Sequence, residues 1–104
     1  MYQPSFVRFD YADPFTAANV RLRRTSDNVA LAGASIGSAN IPVVDGHRHV
    51  DLATHALTPD SYPALSNVEL VATVAVSLGT VSSAEVASAP FTFQLSPPEN
   101  VVAE

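Results

Sequence analysis

The stretch VELVATVAVSL, residues 68–78, decides the fold class of this chain. Alternate residues of a β-strand point to the same face, so a strand with one face in the core is apolar at every second position. Six aliphatic residues of the stretch share one parity: Val68, Leu70, Ala72, Val74, Val76 and Leu78. Val71 and Ala75 on the other parity indicate that the second face is partly covered as well. The pattern predicts the central strand of a sheet.

Shorter alternating runs on both sides of this stretch are typical of further strands. They lie at residues 7–11, 19–23, 29–31, 41–44, 47–53, 81–86 and 91–95, the last with Phe91, Phe93 and Leu95 inward. Asp45-Gly46 is a preferred pair for a two-residue hairpin turn, because both positions tolerate a positive φ. Six to eight short strands predict an all-β chain, a small antiparallel β-sandwich or barrel. Asp13-Pro14 is also a helix-start signal, so a short helix near residues 14–24 is the alternative there.

A length of 104 residues fits one domain. We assign residues 1–96 to a single β-sandwich domain, in which residues 1–15 are a candidate N-terminal arm, and residues 97–104 to a C-terminal tail. Residues 33–40 are small and polar and are interpreted as a loop or a sheet edge. Residues 57–67 hold two prolines and several turn-forming residues, which is typical of a long irregular connection. We find no internal repeat.

One family resemblance lies in the C-terminal half of the chain. The run Leu57-Thr58-Pro59-Asp60-Ser61-Tyr62, followed by the alternating residues 68–74, resembles the end of fibronectin type III and related immunoglobulin-like domains. In those domains a Leu-x-Pro turn and a corner tyrosine precede a long alternating strand. This chain departs from the pattern, since Pro63 and a further loop follow Tyr62 and the first half has no tryptophan. The resemblance implies a sandwich of the kind found on phage virions, a fold that hosts many functions.

Composition limits the classes of function. Hydrophobic residues make up 47% and charged residues only 14%, where about a quarter charged is usual. A surface so poor in charge is covered by small polar residues or is partly buried against a partner. The net charge of −5 argues against general nucleic-acid binding. The absence of cysteine excludes disulfides and thiolate chemistry.

We expect synthesis in the cytoplasm and no membrane partner. The first residues lack the basic and apolar segments of a signal peptide, and no stretch reaches the apolar length of a membrane span. We also expect no enzymatic activity, because the sequence has no glycine-rich phosphate loop and its carboxylates are scattered without a pair that the spacing specifies.

One constellation has the chemistry of a metal site. On a strand after the Asp45-Gly46 turn, His47, His49 and Asp51 would project from the same face. Two imidazoles and a carboxylate can bind a divalent metal, the one cofactor that the sequence suggests, within one chain or at the axis of an oligomer. Two alternatives stay open, namely an ordinary solvated hairpin face and an oligomer contact in which the histidines form hydrogen bonds without metal.

Aromatic residues supply the candidate contact sites. Tyr2, Phe6 and Phe15 belong to a dense N-terminal cluster, and Tyr62 lies in the irregular connection. Aromatic side chains dominate interface energetics, so all four are interface candidates, although a first strand anchored in the core would explain the N-terminal cluster equally well.

The first hypothesis on function is therefore a non-enzymatic structural protein of an assembly, homo-oligomeric or bound to a particle through other protein subunits. The setting it favours is a phage virion, as a capsid decoration (cement) protein or a small head–tail or tail component. The alternatives are an immunoglobulin-like module that binds protein or glycan, and a metal-binding oligomer built on the His-x-His-x-Asp strand.

Overall fold

The protein is all-β, as predicted. The computed structural model describes residues 2–95 and 97–103. Within them lie two single-turn 3-10 helices, Ser38–Asn40 and Pro63–Leu65, and nine strands. The strands are β1 Phe6–Phe9, β2 Ala17–Arg24, β3 Ala30–Gly37, β4 Val43–Val44, β5 His47–Asp51, β6 Glu69–Leu78, β7 Val81–Ser82, β8 Val86–Ala87 and β9 Phe91–Thr92. Their number exceeds the predicted six to eight because three two-residue strands follow β6.

Two antiparallel sheets pack together as a sandwich. The small sheet has the order β1-β5-β4. The large sheet has the order β3-β2-β6, and β7, β8 and β9 pair one after another along the outer side of β6. The strand predicted from residues 68–78 is thus central, with β2 on one side and the three short strands on the other.

Of the two alternatives at residues 14–24, a helix or a strand, the structure has the strand. Ala18, Val20 and Leu22 are fully buried, and a helix cannot place residues i, i+2 and i+4 on one face. β2 also pairs along its whole length with β6 and nearly so with β3. Its alternating apolar residues therefore face the core, and Arg21 and Arg23 lie on the opposite face.

The core lies between the sheets and is closed by the irregular connection. Leu57 and Leu65 of that connection are fully buried, as is Phe93, the largest of the fully buried side chains. The other fully buried large residues come from the strands and their flanks: Val20, Leu22, Ile41, Val50, Leu52 and Leu70. The connection predicted at residues 57–67 therefore contributes its two leucines to the core, while residues 60–64 are exposed.

Several boundaries differ from the predictions. Leu95 is 50% exposed rather than inward, because regular pairing with β6 ends at Thr92 and only a bridge between Ser66 and Phe93 follows. Of the two interpretations of residues 33–40, a loop or an edge, residues 33–37 follow the second and lie in the edge strand β3, and Ser38–Asn40 form a 3-10 helix. The predicted boundary between domain and tail falls on Ser96, outside the described residues. None of the helices in residues 2–95 and 97–103 is long and apolar enough to cross a membrane.

Candidate functional site

The histidine strand forms where the sequence predicted it. Asp45 and Gly46 both have positive φ, 52° and 81°, and form the two-residue turn between β4 and β5. Val50 is fully buried, so the alternating residues His47, His49 and Asp51 lie on the other face of the small sheet.

The three side chains nevertheless have separate partners. His47 Nδ1 lies 2.5 Å from Asp10 Oδ1. The His49 ring packs on Phe6, with 5.5 Å between ring centroids. Asp51 Oδ1 accepts hydrogen bonds from the backbone N–H groups of residues 53 and 54, which end the strand in a turn. In the part of the chain that the structure describes, no three His, Asp or Glu residues are arranged to hold a metal ion. Within the described residues, the strand therefore brings these side chains to one face without grouping them around one point, and the metal site stays a prediction from the sequence.

A groove of about 500 Å³ runs beside this face. Phe6, His49, Asp51 and His55 line it, together with the apolar Val44. His55, four residues after Asp51, also reaches this groove, because the turn after β5 brings it there. The groove combines an aromatic ring, imidazoles and a carboxylate, which together suit a ligand with both polar and apolar parts.

The four interface candidates divide into two pairs. The Tyr2 hydroxyl donates to Asp60 Oδ1 (3.0 Å), and this hydrogen bond raises the pKa of Tyr2. Phe15 is buried in the chain's own core, where the Arg48 guanidinium lies 5.0 Å from its ring centroid. Phe6 and Tyr62 are 51% and 37% exposed. Of the four candidates, Phe6 and Tyr62 therefore expose the largest fractions of their surface.

The outer edge of β6 is covered by an irregular strand with a short repeat that sequence reasoning missed. Val81-Ser82-Ser83-Ala84-Glu85 is followed by Val86-Ala87-Ser88-Ala89-Pro90. Each repeat begins with a valine, Val81 or Val86, and Phe91 follows the second repeat. These three residues, five apart in the chain, pair with three residues of β6 that are four apart: Leu78, Val74 and Leu70. Five residues of the edge thus correspond to four of β6, so each repeat holds one extra residue, a β-bulge.

Serine side chains complete the hydrogen bonding at these bulges. The Ser83 N–H donates to the Val76 carbonyl (2.8 Å), and the Val76 N–H donates back to the Ser83 hydroxyl (3.0 Å). Ser88 and Ala72 form the same pair of bonds at 2.8 and 3.0 Å. The hydroxyl therefore replaces the backbone carbonyl that the bulge has moved out of register.

Glu85, between the two serines, links this edge to the central strand β2 through ion pairs. Its carboxylate accepts hydrogen bonds from Arg23 (3.0 and 3.1 Å) and from Arg21 (2.6 Å) on β2. These hydrogen bonds, from Arg23 first and then Arg21, hold the pKa of Glu85 below its usual value. The segment after β6 is thus bulged, bonded by side chains and fixed by an ion pair.

The opposite edge of the large sheet, the outer side of β3, is open. The Ser77 hydroxyl of β6 donates to the Ala17 carbonyl (3.2 Å), which shows that odd-numbered residues of β2 direct their backbone groups towards β6. The backbone groups of successive residues point to opposite sides of a strand, so the even-numbered residues of β2 form hydrogen bonds with β3. Their register partners on β3 are also even-numbered. Gly33, Ser35 and Gly37 therefore direct their N–H and C=O groups outward.

β3 also has few of the features that blunt an edge. Its sequence, ALAGASIG, has no charge and no proline. A register shift beside Leu31 affects one end, and the remaining residues pair regularly with β2. Among the described residues, no hydrogen bond outside the ladder with β2 is formed by residues 30–37. An uncharged edge of this length is a template for another strand.

No protein-family model, no curated protein and no solved structure matches this chain. The resemblance of residues 57–74 to fibronectin type III domains therefore stays a prediction from the sequence. The chemistry of the open edge of β3 and of the groove beside His49 is what bears on function.

Proposed function

We propose that this chain is a non-enzymatic structural subunit of a protein assembly. The observation that carries the proposal is the open edge of β3, whose outward backbone groups at Gly33, Ser35 and Gly37 have no partner within the described residues. Proteins that stay separate blunt such edges with charges, prolines or bulges. This chain does so along β6 and leaves β3 open, which favours β3 as a surface for a neighbouring strand.

Exposed apolar side chains support the same proposal. Leu78 and Val81 are register partners, and they are 62% and 72% exposed, so they form one apolar pair on the surface. Val101 and Val102 are 79% and 72% exposed in a segment without strand pairing. With only 14% charged residues in the chain, these sites offer further contact to adjacent subunits.

The setting that we favour is a phage-like virion, in which the chain would act as a capsid decoration protein or a small head–tail or tail component. The support is an analogy of type, because a short, cysteine-free, β-rich chain with little charge is typical of small proteins on such particles. Its partners would be copies of itself or capsid and tail proteins, met after synthesis in the host cytoplasm.

Gradient sedimentation of a lysate from cells that make the chain naturally, with the chain quantified by peptide mass spectrometry, tests the proposal. We expect the chain in fractions far heavier than its mass of 10.9 kDa. A chain found only at the top of the gradient would overturn the proposal. If the heavy fractions contain the chain but no capsid or tail proteins, the proposal of an assembly stands and the virion is excluded as its setting.

A second candidate function is a module that binds a protein or glycan ligand, and the groove beside His49 favours it. The half-exposed ring of Phe6 offers an apolar face, and Asp51 and His55 offer polar groups next to it. Phe6→Ala should abolish binding to a glycan or peptide array without changing the circular dichroism spectrum. Tyr11→Ala, an exposed aromatic outside the lining of the groove, is the matched control.

A further inference from the structure

We infer that two copies of this chain join edge to edge through β3, antiparallel about a two-fold axis at Ala34, so that their large sheets become one continuous sheet. The inference rests on the proposed function and names the partner at the open edge. A strand edge binds another strand through main-chain hydrogen bonds, so the partner has to supply an extended segment. A second copy of β3 is the segment that the properties of this edge fit best.

The direction of the backbone groups sets the register. Hydrogen bonds across the new edge join outward-facing residues only, and on β3 these are odd-numbered. In a symmetric pair, each odd-numbered residue then lies opposite an odd-numbered residue of the partner. The two residue numbers of every such pair have the same even sum, so the two-fold axis passes through a residue position and not between two residues. Gly33 and Ala34 lie equally near the middle of β3, and the axis at Ala34 overlaps residues 31–37 and leaves out Ala30, which lies beyond the register shift with β2.

The side chains of β3 are self-complementary in this register. Ser35 faces the partner's Gly33, and Ile36 faces the partner's Ala32. Leu31 lies beside the partner's Gly37. Each larger side chain thus meets glycine or alanine, so the two backbones can approach to the spacing of paired strands, about 4.7–4.9 Å.

The charge distribution favours self-pairing at β3 over the other sheet edges. A symmetric pair brings each charged residue close to its own copy, and like charges in cross-strand positions are destabilising. β3 carries no charge, and the nearby Arg24 and Asp27 neutralise each other through hydrogen bonds of 2.6 and 3.0 Å. β1, one edge of the small sheet, carries Arg8, so its self-pairing would bring two guanidinium groups together, and β4, the other edge, is uncharged but only two residues long.

A cysteine at the axis tests the register directly, since the chain has no cysteine of its own. In Ala34→Cys the two thiols would face each other in a non-hydrogen-bonded pair, where the Cα atoms are about 4.5 Å apart, within the range of a disulfide. An added oxidant that accepts the two electrons should convert most of the protein to a covalent dimer. Ala30→Cys, on the same strand, is the control, because its thiols would lie roughly 27 Å apart.

A proline that removes only an outward N–H tests the interface without the disulfide. The Ser35 N–H lies outside the ladder with β2, and proline is tolerated at such edge positions. Ser35→Pro should weaken dimerisation at least about tenfold in sedimentation velocity experiments, while Ser35→Thr should leave it unchanged. Circular dichroism of both variants checks the fold, and the Ser35 and Gly37 amides of the unmodified chain should gain hydrogen-exchange protection as its concentration rises.

The outcomes separate this inference from the proposed function. Equal cross-linking of Ala34→Cys and Ala30→Cys would overturn the register, and a monomer at all concentrations without cross-linking would overturn the self-pairing. If Ser35→Pro removes the chain from heavy gradient fractions while the isolated chain is monomeric, a strand of another protein pairs with β3 and the inference is wrong. If heavy fractions persist in Ser35→Pro and its dimer is unaffected, the assembly stands and β3 is not its interface.

Discussion

The two edges of the large sheet differ in whether they can accept another strand. The edge along β6 carries a bulge in each five-residue repeat, serine hydroxyls that complete its hydrogen bonds and an ion pair through Glu85. The edge at β3 is uncharged and directs Gly33, Ser35 and Gly37 outward. Both belong to one sheet and share the central strands β2 and β6. The difference shows that local side-chain chemistry, rather than the sheet architecture, decides which edge can accept a partner.

The asymmetry also bears on the size of an assembly. A sheet with two open edges can add copies without end, as fibrils do, whereas a sheet with one open edge closes after one symmetric pairing. The bulged edge of β6 would therefore act as a stop for strand addition in the proposed dimer. Further growth into a particle would have to use other surfaces, such as the exposed pair of Leu78 and Val81.

The largest expected effect comes from the residue that anchors the bulged edge. Phe93 is fully buried and packs on Phe91 (5.3 Å between centroids) and Tyr2 (6.0 Å). Phe93→Ala should lower the free energy of unfolding by about 3–5 kcal/mol in urea denaturation, through lost burial and a cavity. Leu95→Ala, half exposed two residues later, should change it by no more than about 0.5 kcal/mol. Similar losses in both variants would mean that Phe93 does not anchor the edge.

The serine bonds should have the next largest effect. Ser88→Ala leaves the backbone N–H of Ala72 without its acceptor, and we expect a loss of about 1 kcal/mol in the free energy of unfolding. Ser82→Ala is the matched control, since its exposed side chain forms no hydrogen bond within the described residues. Hydrogen exchange should accelerate at Ala72 and stay unchanged at Ala34 on β3. Equal acceleration at both residues would contradict the idea that the two edges are held independently.

The ion pair of Glu85 should have the smallest effect, and it depends on pH. Because Arg23 and Arg21 lower the pKa of Glu85 in the folded state, the charged carboxylate stabilises the fold above the unfolded-state pKa of Glu, and this stabilisation is lost as pH falls through the lower folded-state value. At pH 7, Glu85→Gln should lose no more than about 1 kcal/mol, since the pair is partly exposed.

Urea denaturation of the unmodified chain and of Glu85→Gln from pH 7 downwards checks this prediction. The difference between the two should shrink as the solution becomes more acidic and should also fall at high salt. Glu99→Gln, in the exposed C-terminal segment, is the control for the removal of one carboxylate outside the ion pair. A difference that stays constant down to acidic pH would contradict an ionic origin.

Much of the fold was predictable from short-range pattern. The alternation in residues 68–78 predicted a central strand, and β6 is one, with partners on both sides. The Asp45-Gly46 pair predicted a hairpin turn, which the structure confirms. Strands were predicted at residues 81–86 and 91–95, but their bulged pairing along β6 was not, because the strands formed are two residues long and the meaning of the repeat depends on the register against β6.

The candidate sites were predictable only in part. The common face of His47, His49 and Asp51 follows from strand alternation, whereas their separate partners depend on Asp10 and Phe6, more than 35 residues away in the chain. The open edge of β3 was half expected, since residues 33–40 were interpreted as a loop or an edge. Phe15 and Phe6 were both interface candidates, yet one is buried and the other is half exposed.

The sequence by itself therefore determined the all-β class, the central strand and the hairpin turn, because these depend on side-chain alternation and backbone preference within a few residues. Only the tertiary structure decided which strands lie at the edges, which aromatic rings are buried and where serine hydroxyls replace backbone carbonyls. Those properties depend on pairing between distant segments, and a residue's own neighbours in the chain carry no information about the strand that lies beside it.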